Sequence, residues 1–265
     1  MTVAYEVSGS GPLVLLVHEG VADRRMWRHQ IPVLAREHTV VAVDLRGFGE
    51  SPNASGPFSH VDDLRDVLDE LAVARATVVG GSFGGRVVLE LALSYPECVE
   101  RLVLCPPALR GWEWSEVVRE GWRAEEEAYE AGDLDRATEI NVELWAVGPN
   151  RRPEEVDPQV CALVRTMQRH AFELPWPDPP PEEAELDPPA SELLAEISVP
   201  TLVVVGAEDV EDFQRIAALV ADAIPGARNV VIPGAAHVVA LERPEEFNRA
   251  LLAFLRETAT YTSSQ

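Results

Sequence analysis

Apolar residues follow two alternating rhythms along the chain. Short runs of aliphatic and β-branched residues, bounded by turn residues, occupy positions 3–7, 13–17, 40–44, 77–79, 102–105, 201–205 and 229–232 and read as strands. Between them, residues 26–36, 61–72, 82–94, 212–223 and 244–255 carry apolar positions at the spacing of an amphipathic helix. Near-continuous apolar strands alternating with helices imply an α/β domain with a mostly parallel, doubly wound sheet covered on both faces. The alternation breaks once. From about residue 108 to 196 the chain is acidic and helical in period, with helices expected at 114–131, 133–146 and 157–172. Five of the six tryptophans fall there. A proline-rich run at 175–189 closes this stretch, and its missing N–H donors favour an extended connector. The expected organisation is a core from residues 1–108 and 197–265, a helical cap inserted at 109–196, and a frayed tail over 257–265.

Composition narrows the partners. The 265 residues are 46% hydrophobic and 25% charged, ordinary for a globular chain, and no apolar run is long enough to span a bilayer. The N-terminus lacks a basic start followed by an apolar stretch, so a secretory signal is not expected. Three scattered cysteines provide neither a disulfide framework nor a zinc site, and a cytoplasmic location is the default expectation. The formal net charge is −23, which disfavours nucleic acid and anionic membrane as partners. All 22 basic residues are arginine, so mechanisms that need a lysine are closed. Coding bias or adaptation to salt would each account for that usage.

The sharpest chemical signal is Gly80-Gly81-Ser82-Phe83-Gly84-Gly85, a G-x-S-x-G element between an apolar strand and an amphipathic helix. That context suits a strained turn presenting Ser82 as a nucleophile. The plainer reading is a glycine-rich turn with Ser82 as a helix N-cap. Serine needs a base, and His237 follows the last strand in a loop of small residues. His18, His29, His38, His60 and His170 are less suitably placed: His29, His38 and His60 fall in exposed-looking segments, and His18 reads as a structural loop histidine. The base needs a carboxylate to orient it, and Asp209 directly follows the 201–205 strand, with Glu208, Glu211 and Asp212 as alternatives. The backbone N–H groups of Phe83 and Gly20 are the candidate oxyanion donors.

These segments together resemble the α/β-hydrolase fold family: VHEGVADRRMW, VAVDLRGFGESP, VVGGSFGG, VVVGAEDV and IPGAAHVVALERPEEF, in the family's order over nearly the whole chain. The resemblance implies an eight-stranded, mostly parallel sheet, a helical cap, and hydrolysis through an acyl-serine with Ser82, Asp209 and His237 as the triad. The closest flavour is that of esterases, enol-lactonases and carbon–carbon bond hydrolases. Ser82 sets the chain apart from relatives with an aspartate nucleophile. One departure is Glu19, where the family usually carries glycine. A carboxylate beside an oxyanion hole opposes the developing charge, so Glu19 is expected to point away from the pocket, or else to meet a polar or cationic substrate group.

The expected activity is that of a carboxylesterase on small to medium apolar esters, without metal or cofactor, in a monomer or homodimer. Activity is expected to rise with pH through the His237 titration, near about 6.5. A lactonase, a carbon–carbon bond hydrolase or a peroxyacid-forming enzyme would use the same triad, and a receptor-like module that keeps the triad with little turnover is a further class. Glu19, Trp112, Trp114, Trp122 and Trp145 are the substrate-binding candidates, though the tryptophans also suit packing between cap helices, as do Met167 and Phe172. The cap carboxylates read as a solvated face.

Overall fold

The computed structural model describes residues 3–257; the tail expected over 257–265 lies, beyond Glu257, outside the described residues. Seven strands form one sheet: β1 (Tyr5–Gly9), β2 (Leu13–Val17), β3 (Thr39–Val43), β4 (Ala76–Gly81), β5 (Val99–Pro107), β6 (Thr201–Gly206) and β7 (Arg228–Ile232). Their spatial order is β1-β3-β2-β4-β5-β6-β7. Only β1 runs antiparallel, against β3; every other pairing is parallel. β2, β4 and β6 are buried at every position, which is why their sequences are continuous apolar runs.

All seven strands read from the sequence are present, and the eighth that the resemblance implied is not among the described residues. β1 itself forms the sheet edge, with Glu6, Val7 and Gly9 exposed. It also starts two residues later than expected, because Tyr5 to Gly9 is the stretch in register with β3.

The main helices are α1 (His60–Glu70), α2 (Ser82–Ser94), α3 (Glu116–Glu130), α4 (Leu134–Asn141), α5 (Pro158–Glu173), α6 (Glu211–Ala223) and α7 (Pro244–Arg256). Within a residue or two these match the periodicity. There are two exceptions. The helix expected at 26–36 is a 3-10 turn, Arg24–His29, followed by a four-residue helix, Ile31–Leu34; Pro32 suits a helix's first turn but not its interior. The helix expected at 133–146 runs as α4 and then widens into a π-helical turn, Val142–Val147, which carries Trp145. No helix of the described residues is long and apolar enough to cross a membrane.

α3, α4 and α5 all lie in the stretch between β5 and β6. The proline-rich return is extended as expected, and it is pinned rather than loose. Phe58 N–H donates to the Glu182 carbonyl at 3.1 Å, and Ala184 N–H donates to the Phe58 carbonyl at 2.7 Å.

Strand order reverses beside β2: the chain steps out to β3 and then back across to β4. Carboxyl ends of neighbouring strands diverge at such a switch point, leaving a crevice that can hold a ligand. The loop Val17-His18-Glu19-Gly20 leaves β2 there, and the Gly81–Ser82 corner leaves β4 there.

Candidate active site

Ser82 sits at the junction of β4 and α2 with φ +47°, in the left-handed region that serine rarely adopts. So tight a corner brings backbones together. A Cβ on Gly84 would collide with the His18 carbonyl and come 2.8 Å from that of Val17; one on Gly80 would collide with Gly84 and come 2.6 Å from Val88 Cγ2. The glycines of the motif are therefore steric requirements of the corner. The Ser82 carbonyl accepts from Ala108 N–H at 3.0 Å, tying the corner to the end of β5.

His237 is buried in the loop after β7, and its Nδ1 donates to Asp209 Oδ2 at 3.0 Å. The other Asp209 oxygen accepts from Val210 N–H at 2.8 Å. This leaves Nε2 of His237 for the cavity. Burial pulls the imidazole pKa down, but the charge and hydrogen bond of Asp209 more than offset it and leave His237 above its ordinary 6.5. The midpoint expected near 6.5 therefore moves upward. Two aromatic rings fix the imidazole from the sides, Phe213 at 4.2 Å and Trp145 at 4.7 Å between centroids. Of the alternative acids, Asp212 is bonded elsewhere: its Oδ1 accepts from Trp112 Nε1 and from Ser115 N–H, each at 3.0 Å.

Ser82, His237, Gly20 and Phe83 all line one cavity of about 460 Å³. Neither the Gly20 nor the Phe83 N–H is taken by a backbone carbonyl of another element among the described residues. Trp114, Trp122 and Trp145 line the same cavity, joined by Phe213, Asn141, Glu125, Gln168, Arg86 and Arg110. The sequence reading missed these last six groups. Arg86 lies one helical turn beyond Ser82, and Glu125 three residues beyond Trp122, so helical spacing held a faint signal for both. A larger opening of about 650 Å³ lies between residues 23–25 and α5, but its charges are tied into pairs such as Arg24–Asp44 and Arg165–Glu139, and neither Ser82 nor His237 reaches it.

Two substrate-binding candidates fall outside the cavity. Trp112 points at Asp212 and at Arg215, whose guanidinium lies 5.4 Å from its ring, because that hydrogen bond turns the indole away. Glu19 is fully buried behind the corner, against Gly81, and neither carboxyl oxygen has a hydrogen-bond partner among the described residues. Burial without a partner pushes its pKa up to about 8, so the group is neutral at pH 7.

His18 is also fully buried; its Nε2 accepts from Leu45 N–H at 2.9 Å and its Nδ1 faces the Glu19 carbonyl at 2.8 Å, which fixes one neutral tautomer. His60, read as exposed, is buried instead. It stands edge-on to Phe83 at 5.2 Å between centroids, since the first turn of α1 faces the core, and burial lowers its pKa to about 4.

The sequence profile described as the alpha/beta hydrolase family matches residues 14–250. The chain belongs to this family. It is an enzyme of the α/β-hydrolase class, with the fold and the order of segments that class uses. Among its relatives is a Mycobacterium tuberculosis protein named "Putative non-heme bromoperoxidase BpoC", 32% identical over 96% of this chain and 97% of its own. Another, from Azorhizobium caulinodans, is named "Putative carbamate hydrolase RutD" and is 30% identical over 96% of this chain and 94% of its own. The solved structure of a thermophilic esterase from Thermogutta terrifontis superposes with a TM-score of 0.76, at 28% identity, covering 96% of this chain and 93% of that one. The three names span different reactions.

Proposed function

We propose that this hydrolase cleaves carboxylic esters of small to medium apolar acids through an acyl-Ser82 intermediate, with residues 109–196 as the cap that shapes the pocket. One observation carries the reading. A serine held at φ +47° shares a 460 Å³ cavity with a histidine whose far nitrogen is 3.0 Å from a buried aspartate. That arrangement supports acyl transfer.

His237 Nε2 takes the Ser82 Oγ proton as Oγ attacks the ester carbonyl. The carbonyl oxygen becomes an oxyanion, held by the Gly20 and Phe83 N–H groups. The tetrahedral species collapses, the C–O bond breaks, and His237 returns the proton to the leaving alkoxide. Water then repeats the sequence on the acyl-serine: His237 takes its proton, and the acid leaves as Ser82 recovers a proton. Asp209 stabilises the imidazolium in both halves. A cavity of this size suits a small ligand, and its apolar rings favour hydrocarbon acyl groups. The esterase likeness points the same way.

Hydrolysis of p-nitrophenyl acetate, butyrate and octanoate, run beside Ser82→Ala and His237→Ala, tests this. The expected result is turnover in the wild type that disappears in both variants. Equal rates in wild type and Ser82→Ala would overturn the reading.

A further inference from the structure

The aromatic wall of the cavity is continuous from its mouth to the base, more than a short acyl group would cover. Trp122 packs on Trp114 at 5.1 Å, Trp114 on Phe213 at 5.3 Å, and Phe213 on Trp145 at 5.8 Å, all with rings steeply inclined to one another. The row starts at a tryptophan that is 40% exposed and ends against His237. Glu125 sits on α3 one turn from Trp122 and lines the same cavity. Among the described residues no arginine or histidine pairs with it, and the Glu126 carboxylate beside it adds charge of the same sign. Burial therefore raises its pKa above the ordinary carboxylate value. A second opening of about 400 Å³, lined by Trp122, Glu125, Glu126, Tyr129 and Phe172, shares Trp122 and Glu125 with the cavity. The edge the two openings share is thus aromatic and acidic.

The cavity's cations do not compensate. Arg86 is held by Glu90 at 3.2 Å and Glu183 at 2.8 Å. Arg110 faces Glu90 at 3.4 Å and Glu183 at 3.0 Å, and also pairs with Glu185. Three carboxylates surround two guanidiniums, so that end is not a site for an anion. Faces of electron-rich rings beside an unpaired carboxylate attract organic ammonium groups. The net charge of −23 adds long-range attraction of the same sign.

We propose that the preferred substrates are esters bearing an organic ammonium, which the Trp114–Trp122 wall and Glu125 hold while the ester carbonyl reaches Ser82. This deepens the esterase reading and rests on it for the reaction, though not for the binding.

The test compares choline butyrate with its uncharged isostere, 3,3-dimethylbutyl butyrate, in wild type, Glu125→Gln and Trp122→Leu. In parallel, tetramethylammonium chloride is titrated against tryptophan fluorescence in wild type, Ser82→Ala and Glu125→Gln, with sodium chloride as the ionic-strength control. The expected result is a preference of about tenfold or more in kcat/KM for the cationic ester, carried in KM. Glu125→Gln should remove most of that ratio and Trp122→Leu part of it, and added salt should weaken it. Tetramethylammonium should saturate wild type and Ser82→Ala alike, and Glu125→Gln far less. Hydrolysis of both esters at equal efficiency, or a preference unchanged by Glu125→Gln, would overturn the proposal and leave the esterase standing. Saturable tetramethylammonium binding that Glu125→Gln abolishes, with neither ester hydrolysed, would uphold the cation site and sink the esterase. Absence of both binding and preference would overturn the proposal outright.

Discussion

The two sides of the cavity are built by different means. The floor consists of strand ends: Gly20 after β2, the Ser82 corner after β4, and His237 after β7. Its geometry is a matter of backbone, fixed by parallel pairing and by glycines that no other residue can replace. The roof consists of side chains from the stretch between β5 and β6, chiefly Trp114, Trp122, Glu125 and Trp145. Its geometry depends on which face of each helix turns inward. A floor made of backbone tolerates little substitution, so it constrains the chemistry. A roof made of side chains can vary, so it is free to set the substrate. The single most damaging change to turnover should thus lie in the floor. Ser82→Ala should lower kcat/KM by roughly ten-thousand-fold or more while leaving the thermal midpoint near that of the wild type. A larger loss from any one roof residue, in an intact fold, would invert the comparison.

Stability should divide along the same line. Gly84→Ala places a methyl group into the His18 carbonyl, backbone against backbone, with no flexible side chain to yield. The expected cost is about 3 kcal/mol or more in urea unfolding. Gly111, at φ +77°, lies in the loop leading to the inserted helices, and a methyl group added there would meet nothing within 4 Å. Gly111→Ala should cost only the backbone strain, about 1 kcal/mol. Equal costs at the two sites would mean that crowding at the corner does not matter.

Legibility in the sequence follows the same division. The corner at Ser82 could be read because strand, glycines and helix are contiguous, and the local pattern carries its own steric reason. Asp209 and His237 could be read because each directly follows a strand whose end must lie at the same sheet edge. The inward face of α3 could not. Ten of its fifteen positions, 116 to 130, are charged or aromatic, so periodicity alone did not distinguish Glu125 from the solvated acids beside it. Trp112 misled for a related reason: an indole N–H seeks an acceptor, and Asp212, a hundred residues away in sequence, supplies it. The eighth strand came from resemblance alone, without an apolar run in this chain to support it.

Glu19 joins the two halves of the comparison, being a side-chain departure placed in the floor. Its unfolded carboxyl would titrate near 4.5, whereas the folded one holds its proton to about 8. The unfolded state therefore binds fewer protons between those values, so stability from this group is complete below about pH 4.5 and declines as pH rises to about 8. Glu19→Gln, which stays neutral, removes that slope. Urea midpoints at pH 5 and pH 8 should show the variant gaining on the wild type by a few kcal/mol as pH rises. Parallel behaviour of the two proteins would show that Glu19 finds a partner when ionised. The acid limb of activity has a separate origin. Under the proposed mechanism it reports His237, which must be neutral to act as base, and its midpoint should lie above 6.5 because Asp209 stabilises the imidazolium. Glu19→Gln should keep such a limb; Asp209→Asn should shift it downward.

The smallest effects belong to the outer roof, and they grade with burial. Trp145 is 5% exposed, lies 4.7 Å from His237 and donates to Asn141 Oδ1 at 3.0 Å, so Trp145→Ala opens a cavity beside the base. It should cost about 3 kcal/mol of stability and a large part of kcat. Trp122 is 40% exposed and keeps one aromatic partner, Trp114, edge to face at 5.1 Å. Losing that pair should cost only about 1 kcal/mol. Trp122→Ala should scarcely change kcat for p-nitrophenyl acetate, whose short acyl group sits near Ser82, but should raise KM for longer esters that reach the mouth. If Trp122→Ala instead lowered kcat as much as Trp145→Ala did, the outer ring would be positioning the base through the aromatic row, and the roof would share in the chemistry that the comparison assigns to the floor.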